Sequence, residues 1–488
     1  MKCRHNQHMD PRQQALKRAF DAHNAGRHGE AEALCRSLVQ AGLADPQLFF
    51  LLGMVLHKTG RAIEAAQWLE RAALAQPDSA RIFSGLGCVR QKLGDPIRAA
   101  KNFSRAAELE PQQANYFYSL GNVVYQLGEL EPAAAAFQRA VALNPRDAES
   151  WNNLGKCLKE LNRVDESIVA YDQALALNPG YLLALQGRSI SLLTAGRLAE
   201  GLRDYELRWL TLKPRQFSQP RWAGQKIPGQ TLFLHAEQGF GDGIQSARYA
   251  RLARERCGRV ILECRPELKT LFADSGVADE VIAFGEKTPP CDFYTSVISL
   301  PGLLGITLEN IPGHAPYLKA PPPRELPPPP AGNFRVGLAW AGSPTHKDDA
   351  ARSLKLEMLA PVLAVPGVTF YSLQMPVPKS DEEAIKKFPN LVELGGFTDY
   401  RATASAVMAL DLIISVDTSM AHLAGALGKP VWTLIQFAPD WRWFQQFGEQ
   451  TPWYPTMRLF RQPRRGGWPA VINRVAAELP AQNRGKQL

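Results

Sequence analysis

Trp151-Asn-Asn-Leu-Gly155-Lys-Cys-Leu-Lys-Glu-Leu-Asn162-Arg-Val-Asp-Glu-Ser-Ile-Val-Ala-Tyr171-Asp-Gln-Ala174-Leu-Ala-Leu-Asn-Pro179 decides the fold of the first half of this chain. Stepping back by 34 residues from its key positions meets the same residue types again. Prolines stand at Pro77, Pro111, Pro145 and Pro179, and glycines at Gly53, Gly87, Gly121 and Gly155. Alanines stand at Ala72, Ala106, Ala140 and Ala174. An aromatic precedes each glycine of that series by four residues (Phe49, Phe83, Phe117, Trp151), and a bulky apolar residue follows it by sixteen (Leu69, Phe103, Phe137, Tyr171). A second series reads Gly60, Gly94, Gly128, Asn162 and Gly196. A fixed period of this length marks a solenoid. Small residues let two antiparallel helices approach, bulky ones fill the gap, and proline ends the second helix because its ring cannot continue the hydrogen-bond ladder.

The pattern resembles the tetratricopeptide repeat. Its copies fall at about 46–79, 80–113, 114–147 and 148–181, with a degenerate copy at about 12–45. A further copy runs from 182 into a capping helix around Tyr205-Glu-Leu-Arg-Trp209. We therefore expect an α solenoid over 12–212. Such arrays form a groove, so a protein or peptide partner is expected there; the alternative is self-association into a homo-oligomer. Asn153 faces the groove by repeat position, but its equivalents are Leu51, Gly85 and Ser119, so no asparagine ladder is expected.

After Pro214 the grammar changes to strands alternating with helices. TLFLHA (231–236), VILEC (260–264) and VIAF (281–284) read as buried strands, with helices at 243–256 and about 266–275 between them. Residues 321–330 hold seven prolines, a semi-rigid spacer of roughly 30 Å. Alternation restarts with RVGLAW (335–340), TFYSLQ (369–374), DLIISV (411–416) and VWTLI (431–435), separated by helices near 355–364, 400–409 and 418–427. This order implies parallel β-α-β units. We expect two Rossmann-like halves, 218–320 and 333–480, joined by a linker at 321–332, with a ligand at the carboxyl ends of the strands.

Two segments carry chemistry. In Asp417-Thr418-Ser419-Met420-Ala-His422, a buried strand ends and a helix opens at once. Its first amides, near Thr418 to Met420, are expected to point outward with the positive end of the dipole, a ready site for a diphosphate. The plainer alternative is that Asp417 or Thr418 only caps the helix and His422 is a surface side chain. In Gly239-Phe-Gly241-Asp242-Gly243-Ile-Gln245, glycines allow close approach to a ligand, and Asp242 could accept a proton from an attacking hydroxyl. The alternative is a tight turn capped by Asp242. Trp441 or Trp443 could stack on a base or sugar, or serve as core aromatics. Arg461, Arg464 and Arg465 are the longest basic cluster, either attracting an anionic substrate or simply solvated.

Taken together, Asp417-Thr-Ser-Met-Ala-His422 with Gly428-Lys-Pro430 resembles the sugar-nucleotide half of ADP-heptose:lipopolysaccharide heptosyltransferases, and Gly241-Asp242 resembles their amino-terminal Gly-Asp. Repeats followed by a GT-B transferase are similar in layout to protein O-GlcNAc transferases and flagellin glycosyltransferases. The resemblance implies an inverting, metal-independent transfer from a nucleotide-sugar to an acceptor hydroxyl, with Asp242 as base. The donor would be held by Asp417, Thr418, Ser419, Met420 and His422. In heptosyltransferases a lysine after the first strand of the second half contacts the donor. Here that stretch is Ser343-Pro-Thr-His346-Lys347-Asp-Asp-Ala-Ala-Arg352-Ser353, so Arg352 or Lys347 takes its place. Gly241, Gln245, Ser343 and Trp441 are secondary candidates. No cofactor is expected beyond the donor as substrate.

Composition sets the outer limits. The 488 residues suggest two to four domains, and 45% hydrophobic with 21% charged residues argues against wholesale disorder. Net charge is 56 − 47 = +9, without a basic arm that would indicate nucleic acid. Seven scattered cysteines without a CxxC disfavour a disulfide framework or zinc site. The start lacks an apolar signal core and no stretch reaches the length of a membrane span, so a cytoplasmic protein is expected. Two rivals remain: a dinucleotide enzyme using Gly241-x-Gly243 with Glu263, and a scaffold whose transferase half is inactive.

Overall fold

The computed structural model describes residues 10–210, 215–237, 239–329, 334–346, 349–395 and 397–484. Compactness divides the chain into two units at Arg188/Ser189.

The first unit is a stack of antiparallel helix pairs: α1 Pro11–Asn24 with α2 His28–Gln40, α3 Pro46–Lys58 with α4 Ala62–Ala75, α5 Ala80–Lys92 with α6 Pro96–Leu109, α7 Ala114–Gln126 with α8 Leu130–Leu143, and α9 Ala148–Glu160 with α10 Val164–Leu177. The unit boundary falls inside α11 (Leu182–Thr194). The sequence series explain the packing directly. A Cβ on Gly53 would lie 2.6 Å from Leu69, on Gly87 2.7 Å from Phe103, on Gly121 2.8 Å from Phe137, and on Gly155 3.0 Å from Tyr171. The glycine of each first helix is therefore the slot for the bulky residue sixteen positions on. Gly60, Gly94, Gly128, Asn162 and Gly196 all have positive φ, which ends the helix in a left-handed residue that glycine adopts without a steric penalty. Each repeat proline stands two residues past the end of a second helix. Asp45 and Asp147 cap α3 and α9, accepting from the amides of Gln47 (2.7 Å) and Glu149 (3.1 Å). Asn153 Nδ2 donates to Asn122 Oδ1 at 3.0 Å, so this amide is engaged within the array.

The second unit begins with the end of α11 and α12 (Leu198–Tyr205), followed by a 3-10 turn at Glu206–Leu210. Its strands are β1 Ile227–His235, β2 Cys257–Cys264, β3 Glu280–Ala283, β4 Phe293–Ser296, β5 Phe334–Ala339, β6 Val368–Ser372, β7 Leu391–Glu393, β8 Leu412–Val416, β9 Val431–Ile435 and β10 Met457–Arg461. The helices among them are α13 Phe240–Arg254, α14 Lys269–Asp274, α15 Leu300–Leu303, α16 Asp349–Arg352, α17 Ala360–Leu363, α18 Glu382–Ile385, α19 Tyr400–Met408, α20 Ser419–Ala426 and α21 Trp468–Arg484. All pairings are parallel, in a four-stranded sheet ordered β3-β2-β1-β4 and a six-stranded sheet ordered β10-β9-β8-β5-β6-β7. Each order reverses once, beside β1 in the first sheet and between β5 and β8 in the second, and open α/β sheets hold ligands at such points. Strands β4, β7 and β10 and helix α21 lie outside the elements read from sequence.

Candidate functional site at the two switch points

Asp242 stands in the first turn of α13, just past β1. Its Oδ2 accepts the Gly239 amide at 3.0 Å and its Oδ1 takes Nη2 of Arg442 at 2.5 Å. Arg442 lies in the 3-10 turn Trp441–Trp443 after β9 and is buried. Its guanidinium also donates from Nε to Gln245 Oε1 (2.5 Å) and from Nη1 to Asp440 Oδ1 (2.8 Å). One buried cation thus joins the α13 side of the first sheet to the loop after β9 of the second. Sequence reasoning chose Asp242 and Gln245 but passed over Arg442 and Asp440. The available signal was an Asp-x-Arg pair inside a tryptophan-rich loop, a place where charge needs a reason.

The amino ends of α13 and α20 meet. A Cβ on Gly241 would lie 3.0 Å from His422 Cδ2 and 3.6 Å from Ser419 Cα, so glycine is what permits the approach. Thr418 is the N-cap of α20. Its hydroxyl accepts the Met420 amide at 3.3 Å and contacts Ser415 Oγ at 3.1 Å. The expectation that the Met420 amide points freely outward is corrected accordingly: a threonine at this position satisfies it locally. Ser419 Oγ accepts from the Tyr400 hydroxyl at 2.8 Å.

His422 is not a surface side chain. It is 5% exposed, its Nδ1 lies 2.9 Å from the Tyr454 hydroxyl, and its ring stacks on Trp443 with 5.2 Å between centroids. Burial, followed by the nearby Arg442 charge, pushes its pKa down to about 3, so the ring is neutral at physiological pH. Asp417 is also buried. Burial first, then Asp440, raises its pKa to about 6 against the opposing pull of Arg352 and Arg442. Burial pushes Asp440 up as well, but its direct pairing with Arg442 wins and holds it below the usual carboxylate range.

Arg352 ends α16 and reaches the end of β8, donating from Nη1 to the Asp417 carbonyl at 3.1 Å and from Nε to Asp349 at 3.3 Å. A Cβ on Gly342 would lie 2.5 Å from Asp349 Oδ1 and 2.7 Å from Arg352 Nη2, so a glycine backbone shelters this pair. Lys347 lies outside the described residues. Ser343 is exposed and shares a hydrogen bond with Thr345 at 2.8 Å; it makes none with the residues around Thr418. Trp441 and Trp443 are core residues at 8% and 1% exposure, and Trp441 meets Trp453 edge-on at 6.2 Å. Neither offers a free face for stacking, because the loop folds its aromatics inward beneath Arg442. Arg461 is likewise spent on backbone carbonyls, including Phe444 at 2.6 Å. Glu263, the ribose acceptor of the dinucleotide reading, is buried and accepts from the Ala236 amide (3.0 Å) and Arg215 (2.5 Å).

A cleft of about 630 Å³ opens elsewhere in this unit, lined by 216–219 and 287–291. It contains none of the candidate residues, and Lys287 is its one ionisable group besides Cys291. The convergence of Asp242, Arg352, Asp417, Asp440 and Arg442 with a neutral histidine makes the paired switch points the stronger site. Among the described residues no cluster of metal-ligating side chains occurs and the cysteines are free. No described helix is long and apolar enough to cross a membrane.

The two shifted groups predict a compensated pH response. His422 stays neutral in the fold while the unfolded chain takes up a proton below about pH 6.5, so its contribution weakens stability as pH falls from there toward 3. Asp417 takes up a proton in the fold near pH 6 that the unfolded carboxylate takes up only near 3.8, so its contribution strengthens stability as pH falls between those values. Each is worth at most about 1.4 kcal/mol per pH unit, and they oppose. Urea unfolding at pH 6 and 4.5 should therefore show His422→Gln gaining stability on acidification relative to the parent, and Asp417→Asn losing it. Parallel curves for all three proteins would mean both groups are solvated.

Comparison with known proteins agrees with the first half of this picture. Residues 16–80, 85–148, 118–181 and 152–217 match the tetratricopeptide repeat family. Over 330 residues the chain is 28% identical to protein FlbA of Caulobacter vibrioides, covering 60% of this chain and 54% of FlbA. The chain thus spans about half the length of that curated relative. Among solved structures, MamA is 21% identical with a TM-score of 0.33, covering 35% of this chain and 97% of MamA. YrrB, described as a tetratricopeptide protein with an unusual peptide-binding site, is 20% identical with a TM-score of 0.34, covering 36% of this chain and 90% of YrrB. Tetratricopeptide repeats thus occupy much of residues 16–217, and parallel α/β sheets follow them.

Proposed function

We propose that the second unit is a GT-B glycosyltransferase that moves a sugar from a nucleotide-sugar donor to an acceptor hydroxyl on a protein bound by the repeats. The carrying observation is that Asp242, past the first sheet's reversal, and Arg352, Thr418 and His422, at the second sheet's reversal, converge where α13 abuts α20. In the inverting mechanism an acceptor oxygen attacks the anomeric carbon, the bond from that carbon to the diphosphate oxygen breaks, and Asp242 takes the hydroxyl proton. Each carboxylate oxygen keeps a lone pair beyond its present bond. The leaving diphosphate gains charge that Arg352 and the amino end of α20 would stabilise. The resemblance implies no metal for this chemistry, and a cytoplasmic setting supplies nucleotide-sugars. Flagellin or another surface protein is a candidate acceptor, with a glycan as the alternative.

Asp242→Asn should retain binding of the donor while transfer falls by about 10²–10⁴-fold, the usual worth of a general base. Turnover equal to the parent would remove Asp242 from the mechanism. No binding of any nucleotide-sugar at millimolar concentration would instead favour the scaffold.

A further inference from the structure

The first helices of the repeat pairs carry a charge pattern that this chemistry leaves unused. Together α1, α3 and α5 hold seven Lys or Arg against one acid, Asp21, whereas their partners α2, α4 and α6 hold five Lys or Arg against five Glu. The first helices also approach one another across the stack, α1 to α3, α3 to α5 and α7 to α9, as the inner side of a curved array must. Arg90 pairs with Glu70 of α4, which leaves six of the seven cations of these first helices against their one acid. This excess stops abruptly, because α7 has no charged residue at all.

Arg81 on α5 is the centre of the patch. Its guanidinium lies 4.6 Å from the Phe50 ring of α3 and 6.0 Å from the Phe20 ring of α1, held flat across two neighbouring helices. Several arginines elsewhere in this unit are paired, for instance Arg36 with Glu32 at 2.8 Å and Arg188 with Asp172 at 2.9 Å. Among the described residues, Arg81, Lys58 and Lys92 form no ion pair. Burial lowers the pKa values of His23 and His57, and the charged neighbours that lower them further are His28, Lys58 and Arg81 for the first and Lys58 and Lys92 for the second. No carboxylate counters them. A rigid fork without a carboxylate, with exposed Lys58 and Lys92 at the far ends of α3 and α5, is suited to accept one from outside.

We propose that the inner face of α1, α3 and α5 binds an acidic segment of the partner polypeptide, with Arg81 as its main carboxylate contact and Lys58 and Lys92 as further contacts at the other ends of α3 and α5. This rests on the repeats being the part that holds the acceptor protein, and it specifies that protein's chemistry. Neighbouring helix axes lie about 8–10 Å apart and an extended chain advances about 3.3 Å per residue. Acidic side chains about three residues apart would then meet successive helices.

The test is fluorescence anisotropy on the full chain with a labelled peptide of about twelve residues carrying Glu at every third position, its Gln counterpart, and a short oligo-dT. We expect the Glu peptide to bind at least about tenfold tighter than the Gln peptide at low salt, with most of that advantage screened at high salt. Arg81→Glu/Lys92→Glu should abolish the preference, with helicity by circular dichroism unchanged, while Arg98→Glu on α6 should keep it. Asp242→Asn should bind as the parent does, which separates docking from transfer. Equal binding of both peptides, a preference surviving the double reversal, or oligo-dT binding as tightly as the Glu peptide would each overturn the proposal. In the first of these cases the groove would remain a peptide site without acidic selectivity.

Discussion

Replacing Arg442 by methionine is expected to destabilise the second unit by about 2–3 kcal/mol, less than the loss of a fully buried ion pair because both of its acids are partly exposed. The side chain is 10% exposed and serves three acceptors at once: Asp242, Gln245 and Asp440. Methionine matches its apolar stem but leaves Asp242 and Asp440, 23% and 40% exposed, without their shared cation. The Gln245 amide would be worse off still, since its Nε2 already has no partner among the described residues. Tryptophan fluorescence during urea unfolding reports the change directly, because Trp441, Trp443 and Trp453 surround the site. Adding Asp440→Asn should recover part of the loss by removing the stranded charge. A cost under about 1 kcal/mol would mean that water reaches the cluster, as in an exposed pair. If the enzyme reading is right, the single variant also frees Asp242 to swing, so transfer should fall more than donor binding does.

Phe103→Ala is expected to cost about 3–5 kcal/mol in the repeat unit, as large-to-small changes of buried aromatics do. Phe103 is 1% exposed and fills the slot opened by Gly87. In a solenoid each repeat is stabilised by its neighbours, so a void in the middle weakens the coupling on both sides. Gly87→Ala attacks the same contact from the other side, placing a methyl 2.7 Å from a ring that has little room to move. The two changes together should cost less than their sum, because the alanine at 103 makes room for the one at 87. Thermal unfolding followed by circular dichroism at 222 nm measures all three. Additive losses would show that the two residues do not share one slot.

Much of the architecture was legible because it is local. The slot-and-filler pairs, such as Gly121 with Phe137, sit sixteen residues apart and recur every 34, so sequence period and spatial contact coincide. Buried strands of mostly apolar residues, such as Val431–Ile435, were equally visible. Strand β4 was not, since four residues after a proline-rich turn carry too little pattern, and neither was the three-residue β7. At the site, Asp242 and Thr418 stand out by their place just past strands, whereas Arg352 was singled out, with Lys347, only through the family resemblance. The burial of His422 was not legible, because burial of a polar side chain depends on what another segment lays over it; for Trp441 and Trp443 the structure favours the core placement, one of the two alternatives their sequence left open.

The chain by itself determined the repeat period, the switch to parallel β-α-β units, and which strand ends could hold a ligand, all of which follow from residue spacing within a few dozen positions. Only the tertiary structure decided that Arg442 grips Asp242, that Tyr454 and Trp443 enclose His422, and that Arg81 lies against the rings of Phe50 and Phe20. Those outcomes join residues far apart along the backbone, and a periodic pattern carries no information about which distant side chain will supply a neighbour, a counter-charge or a cover.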